Sequence, residues 1–483
     1  MMRKEKRGKE ERGKSDVLRV KRGEGNLNRE AGKNFPVHPP IDHHLIRFPF
    51  PRLESVALSS GLNLLIVEDH RLPRVWIRLG FDFGTKCEPT DRVGLMELLE
   101  YTLKKGTISR SYREIVDRIE TAGGELEAAV SRDFFFVFGD FLKDGLESGL
   151  EIFSDVLQHP RFPEEEVEKE RLRTIADLEN EKTSPNFLAH RRLKKILYAP
   201  HPYSHQKTRE SLSRITREDM LQIHQRYFDP SIAYLIFAGD ITRQQAVQLA
   251  EKHLGSWQGQ KKLRKTFPPP RGVEEPIIHL VHRPGSEQVT LLLGNSLFPR
   301  NHPDFEKMMV MNRILGGGGS GRLFMYLREE KGFTYGAYSS MQTHKDAGIW
   351  FAQADVRPDV VAPALEGFME QFRLIRREPV SAEELESAKR YLIGIFPLQN
   401  ERPSSVAALA LQQVLYGLPS NYWDEYLNRL HKVTIEDVQN SALRYVIPEK
   451  MATVVVGDAT HLQPVLEKMG SVEVYDMNDE KIG

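Results

Sequence analysis

The chain has a single cysteine, Cys87, among its 483 residues. One thiol excludes an internal disulfide framework and any cysteine-rich zinc site, which suits a reducing compartment. An excess of either charge is also missing, because Lys plus Arg and Asp plus Glu both number 68. The formal net charge of zero removes the global electrostatic argument for a nucleic-acid partner, and we expect none.

Long apolar runs are absent as well. No segment approaches the ~20 apolar residues that span a bilayer, and the N-terminal MMRKEKRGKEERGK has no apolar stretch behind its charges. The sequence as written therefore predicts no membrane span and, by default, a cytoplasmic location. A periplasmic location stays open if the start of the chain is misassigned. Residues 1–45 are predicted to be a disordered basic arm, since residues 1–34 hold twelve Lys/Arg against six Asp/Glu.

An internal repeat covers much of the remaining chain. The stretch ITREDMLQIHQRYFDPSIAYLIFAGD from Ile215 aligns without a gap with VTIEDVQNSALRYVIPEKMATVVVGD from Val433, at an offset of 218 residues. In each copy the Thr before x-Glu-Asp predicts a helix N-cap, and the apolar runs AYLIFAG and MATVVVG predict short buried strands. The sequence therefore predicts two related units of about 210 residues each.

The other strand and helix patterns mix without a regular strand-helix-strand alternation. This predicts an α+β fold with helices packed on mainly antiparallel sheets. We predict a first domain over residues 46–257, a linker over residues 258–275, a second domain over residues 276–470 and a C-terminal tail over residues 471–483. The linker prediction depends on GQKKLRKTFPPPRGVEEP, which is charged and proline-rich.

The stretch GLMELLEYTLKKGT, from Gly94 to Thr107, has the frame of a metal-binding helix. On a helix, an H-x-x-E-H arrangement lets two imidazoles hold zinc while the carboxylate activates its water. The frame resembles G-L-A-H-F-L-E-H-M-L-F-K-G-T of the inverted-zincin metallopeptidases, which include pitrilysin, insulin-degrading enzyme and the mitochondrial processing peptidase. The resemblance extends from about residue 48 to residue 470.

The resemblance implies that the metal ligands have been replaced. The two zinc histidines correspond to Glu97 and Tyr101, while the general-base glutamate is kept at Glu100. The third family ligand, a glutamate, corresponds to Asp177 when counted from Glu170. We therefore expect no metal in this chain. If the carboxylates of Glu97, Glu100 and Asp177 clustered, they would suit a hard cation better than zinc. Exposed acidic residues on a helix face are the simpler explanation of all three.

Two further segments match substrate-binding parts of the family. In GGELEAAV, Glu127 replaces the family asparagine and Ala128 is kept; family members use this strand to pair with substrate backbone. The run GGGGSGR resembles the glycine-rich segment of the noncatalytic processing-peptidase subunit, which handles substrate. An ordinary sheet strand and a plain glycine-rich connection are the alternatives. The substrate-binding candidates in this run are Gly316, Gly317, Gly318 and Gly319.

The second half keeps two residues of the family site. LREEKGFTYGAY places Arg328 and Tyr335 seven residues apart. In the family, an Arg and a Tyr at this spacing reach the zinc centre, hold the substrate and stabilise the oxyanion. Lost metal ligands together with a kept Arg and Tyr resemble the non-zinc-binding subunit of a two-chain member.

The resemblance therefore predicts that this chain forms half of a clam-shell chamber. It would bind extended peptides or unfolded protein segments and supply both side chains in trans to a homologous zinc-binding peptidase subunit, which would hold the Zn²⁺. One alternative is a structural or binding homologue without catalysis. Another is an independent zinc endopeptidase, which would require Glu97, Tyr101 and Asp177 to replace two imidazoles and a longer carboxylate.

Overall fold

The computed structural model describes residue 46 and residues 48–51, 53–259 and 265–482. The predicted arm over residues 1–45 and the middle of the predicted linker, residues 260–264, lie outside these described residues. The described chain forms two six-stranded sheets with helices packed against them. This confirms the α+β class predicted from the sequence.

The strands of the first half are β1 (Glu54–Ala57), β2 (Asn63–Glu68), β3 (Arg74–Phe81), β4 (Glu125–Val130), β5 (Phe135–Leu142) and β6 (Ala233–Gly239). Its helices are α1 (Leu95–Thr102), α2 (Tyr112–Thr121), α3 (Leu146–Gln158), α4 (Glu164–Glu181), α5 (Pro185–Tyr198), α6 (Arg209–Ser213), α7 (Arg217–Tyr227) and α8 (Arg243–Leu254).

The strands of the second half are β7 (Ile278–His282), β8 (Val289–Leu297), β9 (Thr334–Thr343), β10 (Gly348–Val356), β11 (Ala452–Gly457) and β12 (Val472–Tyr475). Its helices are α9 (Phe305–Leu315), α10 (Arg322–Phe324), α11 (Val361–Arg377), α12 (Ala382–Gln399), α13 (Pro403–Leu415), α14 (Tyr422–His431), α15 (Ile435–Tyr445) and α16 (Ala459–Leu466). Within the described ranges, no helix is both long enough and apolar enough to cross a membrane.

The strand orders are β1-β2-β6-β3-β5-β4 and β12-β7-β11-β8-β10-β9, so the last five strands of each sheet correspond. The first strands differ, because β1 is antiparallel to β2 and β12 is parallel to β7. Most neighbouring strands are antiparallel, as predicted. The parallel pairs are β2 with β6 in the first sheet, and β7 with β11 and with β12 in the second. Strands β4 and β9 occupy equivalent places, each at an edge of its sheet.

The 218-residue repeat is confirmed at the level of single elements. That offset carries α4 onto α12 and α7 onto α15 with identical bounds. The predicted N-caps are also present, because Thr216 accepts from the backbone N–H of Asp219 and Thr434 accepts from that of Asp437. Each pair closes a capping box, which satisfies two free N–H groups at the helix start.

Each half contributes one helix that packs on the sheet of the other half. Helix α5 belongs to the first half in sequence but packs on the second sheet, where Leu193 is buried with Leu292 and Phe351. Its counterpart α13 packs on the first sheet, where Leu411 is buried beside Ile236. Because each sheet is covered by a helix from the other half, the cores of the two halves interlock.

A buried charge cluster also joins the halves. The ammonium of Lys86 donates to Asp133 at 2.8 Å and to Asp346 at 2.7 Å. The hydroxyl of Tyr203 donates to the same oxygen of Asp133. Lys86 and Asp133 belong to the first half and Asp346 to the β9–β10 hairpin of the second, so these bonds fix the relative position of the two sheets.

The C-terminal residues form part of the second sheet, which corrects the prediction of a tail over residues 471–483. Strand β12 pairs in parallel with β7. Asp479 then accepts from Arg192 at 3.1 Å and from Lys195 at 2.6 Å, both on α5. The four-residue strand VEVY is too short to stand out from the sequence pattern, and its partner strand is nearly 200 residues away.

Candidate functional site

Helix α1 carries the residues that replace the zinc motif. It begins after Gly94, whose φ of 105° lies in the left-handed region that favours glycine. Leu95, Leu98 and Leu99 are buried in the first core. Burial of this face fixes the orientation of the helix and leaves Glu97 partly accessible, one turn before Tyr101.

The carboxylate of Glu97 is bound by a lysine. Lys207 Nζ lies 2.9 Å from Oε1 and 3.0 Å from Oε2 of Glu97, and 3.6 Å from Oε2 of Glu181. Tyr101 donates its hydroxyl to Glu97 at 3.3 Å, and burial raises the pKa of this phenol to about 12. At the position of the first zinc histidine, Glu97 therefore forms an ion pair with Lys207 and accepts a hydrogen bond from Tyr101. Lys207 was not predicted, because it lies 110 residues from Glu97 and only the fold brings the two together.

Glu100, the kept general-base residue, contacts the edge strand β4. Its Oε2 accepts from the backbone N–H of Val130 at 2.9 Å. Burial raises the pKa of Glu100 to about 7, and the charges of Glu97 and Glu127 add to the effect. The carboxylate thus has a structural partner, although its pKa falls in the range that suits proton transfer near neutral pH.

A side chain from the turn that follows α1 also binds the edge strand β4. Lys104 donates to the carbonyl oxygen of Leu126 at 3.0 Å and lies 2.5 Å from the carboxylate of Glu127. Backbone N–H and C=O groups of successive residues in a strand point to opposite sides, so the alternate residues Leu126, Ala128 and Val130 share the outer edge of β4. Among these three, and within the described part of the chain, only Ala128 has both its N–H and its C=O free of a hydrogen bond with Glu100 or Lys104.

A buried glutamate lies at the start of α1. Glu88 is 6% exposed and accepts from the backbone N–H of Met96 at 2.7 Å. Burial raises the pKa of Glu88 to about 8, even though the N–H groups of Met96 and Gly94 oppose the shift. A largely neutral carboxyl therefore supports the first turn of the helix at pH 7. Glu88 was not predicted as a site residue, because nothing in the motif marks it.

Asp177, the residue at the third ligand position, faces solvent on α4. Its side chain is 61% exposed and lies 3.7 Å from the Nε of Arg173. In the part of the chain that the structure describes, no hydrogen bond joins it to Glu97 or Glu100, and no group of three or more His, Cys, Asp or Glu residues could hold a metal ion.

The donor set does not fit the zinc of the family. Glu97 is bound by Lys207, the phenol of Tyr101 is protonated at neutral pH, and Asp177 lies beside a guanidinium. Zinc sites in proteins use imidazole, thiolate or free carboxylate ligands. We therefore assign no metal chemistry to this helix, and the expected absence of metal from the chain stays a prediction.

Arg328 and Tyr335 lie on the second half. Arg328 belongs to the π-helical turn Met325–Glu330 that follows α10, with its guanidinium 4.7 Å from the ring centre of Phe324 and 3.3 Å from Glu329. Tyr335 is 88% exposed at a bulge of β9. Within the described residues, neither side chain has a hydrogen bond or ion pair with the first half.

The glycine run is packed tightly against β9. The carbonyl of Gly316 accepts from Ser339 N at 2.8 Å, and a Cβ on Gly316 would lie 2.7 Å from that nitrogen. A Cβ on Gly318 would lie 2.1 Å from the Arg313 guanidinium, whereas one on Gly319 would meet nothing closer than 3.9 Å. Packing against the β9 backbone therefore explains Gly316, whereas the contact at Gly318 is with the end of a flexible arginine side chain that can move. Substrate binding by the run stays a prediction.

Two family models match the chain. The model described as "Peptidase M16 inactive domain" matches residues 214–392, and the model described as "Insulinase (Peptidase family M16)" matches residues 64–209. The chain belongs to peptidase family M16. This confirms the family that the sequence resembles, and the degenerate helix α1 lies inside the second match.

The names of two relatives disagree on whether the protein is a protease. A protein of Bacillus subtilis (strain 168) named uncharacterized zinc protease YmxG is 25% identical over 416 residues, which covers 85% of this chain and 99% of the relative. A protein of Helicobacter pylori (strain ATCC 700392 / 26695) named non-peptidase homolog YmxG is 23% identical over 407 residues, covering 81% and 92%. The activity of this M16 member has to be argued from its own residues.

A solved structure supports the fold. The M16 inactive domain from Pseudomonas fluorescens superimposes with a TM-score of 0.77 at 24% identity, covering 84% of this chain and 98% of that chain. At this level of identity the likeness shows the architecture alone.

Proposed function

We propose that this M16 member is the non-zinc-binding subunit of a two-chain zinc peptidase. In this proposal it binds extended peptides and presents Arg328 and Tyr335 to the active site of a homologous zinc-bearing subunit. The observation that carries the proposal is the contrast between the halves. The ligand positions of α1 are engaged by Lys207 and β4, while Tyr335 is 88% exposed with Arg328 on the same half.

The chemistry of the two side chains suits this role. A guanidinium and a phenol both donate hydrogen bonds, and such donors stabilise the negative charge that develops on a peptide carbonyl oxygen during hydrolysis. In the partner, zinc would polarise that carbonyl and activate water. Among the described residues, Arg328 has only its neighbour Glu329 as an ion-pair partner, and the side chains of this pair are 44% and 50% exposed. Its guanidinium can therefore turn to a substrate at little cost.

Peptide binding would use the edge of β4 over a short length. Lys104 and Glu100 already satisfy Leu126 and Val130, so a peptide strand can form backbone hydrogen bonds at Ala128 without displacing them. Glu127 is 62% exposed on the neighbouring register position, where it could contact the substrate side chain. Gly319 is the member of the glycine run that leaves space for a second contact.

The test uses the chain in complex with an M16 subunit that has an intact H-x-x-E-H motif. Arg328→Ala and Tyr335→Phe should each lower kcat by about 10² to 10³, the range for losing one oxyanion donor, while the complex still assembles. Tyr338→Phe is the matched control, because Tyr338 is a 42% exposed tyrosine on the same strand. Unchanged kcat in both variants would sink the proposal, as would chelator-sensitive proteolysis by the isolated chain.

A structural or binding homologue without catalysis is the second candidate. The degenerate α1 favours it, and so does the name non-peptidase homolog of the Helicobacter pylori relative. Under this candidate, Arg328→Ala and Tyr335→Phe would alter stability or docking and leave the turnover of any partner unchanged. An independent peptidase has little support, since a general base such as Glu100 contributes only about 10² to 10⁴-fold without a metal.

A further inference from the structure

A cavity of about 510 Å³ lies on the face of the first sheet opposite α1. Its walls come from β3 and β5, from helix α13 and from the β9–β10 hairpin of the second half. Phe136 and Phe138 alternate along β5 with core residues, so their rings point into this space, stacked 5.8 Å apart. Met341 and Leu411 complete an apolar surface.

One arginine in this cavity, Arg78, has no ion pair with an acidic side chain among the described residues. Arg78 pairs with Phe138 across β3 and β5 and places its guanidinium 4.9 Å from the ring centre. Its Nε is buried without a hydrogen-bond partner, and burial lowers the pKa of Arg78. The nearby carboxylate of Asp140 is already held by two bonds from Arg74, at 3.1 and 2.7 Å. A half-buried guanidinium with an unsatisfied buried N–H is unfavourable, so the site should favour an anion.

A second arginine adds to the positive charge. Arg300 is 8% exposed, donates to the hydroxyl of Tyr422 at 2.9 Å and stacks on Phe305 at 3.7 Å. None of the residues that line the cavity is Asp or Glu. Burial lowers the pKa of His344, another lining residue, to about 4, so this imidazole is neutral near pH 7. Two guanidinium groups therefore face an apolar cavity that supplies no counter-charge.

We propose that this cavity binds a carboxylate with an aromatic or branched aliphatic body. The carboxylate would accept hydrogen bonds from Arg78, and the body would pack against Phe136, Phe138 and Met341. A free aryl or alkyl acid and the C-terminal residue of a peptide offer the same chemistry. The site lies on the other face of the sheet from α1 and includes neither Arg328 nor Tyr335. It is therefore independent of the proposed role in peptide hydrolysis.

Isothermal titration of the full chain with 4-phenylbutyrate and with 4-phenylbutan-1-ol tests the proposal. The acid should bind at least about ten-fold more tightly than the alcohol, the order expected for a hydrogen bond to a charged group. Arg78→Gln should abolish this preference. Arg113→Gln is the matched control, because Arg113 is 91% exposed and does not line the cavity. A peptide ending in Phe, with a free or an amidated C-terminus, distinguishes the two sources.

Ala408→Phe provides a second, independent variant. Ala408 lines the cavity from α13, so a phenyl ring there should block binding while both arginines stay in place. Circular dichroism and thermal melting check that each variant is folded, and Ala408→Phe decides the matter if Arg78→Gln does not fold. Equal affinity for acid and alcohol, or acid binding that survives Ala408→Phe, would overturn the proposal. So would the absence of binding by both the acid and the free-carboxylate peptide.

Discussion

Replacing Glu88 by Gln should make the unfolding free energy of this protein less dependent on pH. Glu88 is 6% exposed at the start of α1, and its burial raises the pKa to about 8 from an ordinary value of 4.5. A raised carboxyl pKa means that the folded state holds a proton that the unfolded chain releases. The wild type should therefore lose stability as the pH rises above 4.5, and this loss should be complete above pH 8.

The magnitude follows from the two pKa values. A pKa raised from 4.5 to about 8 corresponds to on the order of 4 kcal/mol between about pH 5 and about pH 9. The amide oxygen of Gln can still accept the hydrogen bond from Met96 N, which is 2.7 Å long to Glu88, but the side chain carries no charge. Glu88→Gln should thus be close to wild type near pH 5 and more stable by roughly that amount near pH 9.

Urea denaturation of both proteins across this pH range measures the difference directly. The control is Glu120→Gln, which changes an exposed glutamate of α2 and should leave the pH profile as in the wild type. A stability difference between Glu88→Gln and the wild type that stays constant from about pH 5 to about pH 9 would refute the reasoning. It would mean that Glu88 is ionised in the folded protein throughout, with the helix N-terminus outweighing burial.

Two further predictions concern stability, one at the buried charge cluster between the halves and one at the glycine run. Lys86→Met should lower the free energy of unfolding by about 3 to 5 kcal/mol, because it leaves Asp133, 1% exposed, without its cation. Urea denaturation measures this, and a loss below about 1 kcal/mol would contradict it. Gly316→Ala should destabilise by about 1 to 3 kcal/mol through contact with the β9 backbone. Gly319→Ala, where the Cβ meets open space, should stay within about 0.5 kcal/mol, and similar losses in both would contradict the packing account.

Local patterns predicted much of the fold. The Thr-x-Glu-Asp caps and the buried strands after them depend on residues close in sequence, and the repeat at 218 residues shows them twice. Each of these features is present in the structure. The exchange of α5 and α13 was not predictable in this way. The apolar faces of the two helices are similar, and hydropathy does not say which of two related sheets a helix covers.

The candidate site was predictable only in part. The motif located Glu97, Glu100 and Tyr101 on one helix, and the structure keeps them together there. It did not predict that Lys207 would bind Glu97 or that Glu100 would cap Val130, since both partners come from distant segments. The unpartnered guanidinium of Arg78 in the cavity was also not predictable, because a single arginine in a strand pattern does not indicate whether it will find a partner.

The central claim is that this chain holds no zinc and completes the site of a partner that does. Metal analysis of the isolated chain, and of the complex purified with a zinc-bearing M16 subunit, tests it most directly. The account predicts no stoichiometric zinc in the isolated chain and about one zinc ion per complex, held by the partner's ligands. Stoichiometric zinc in the isolated chain that is lost in Glu97→Ala would contradict it.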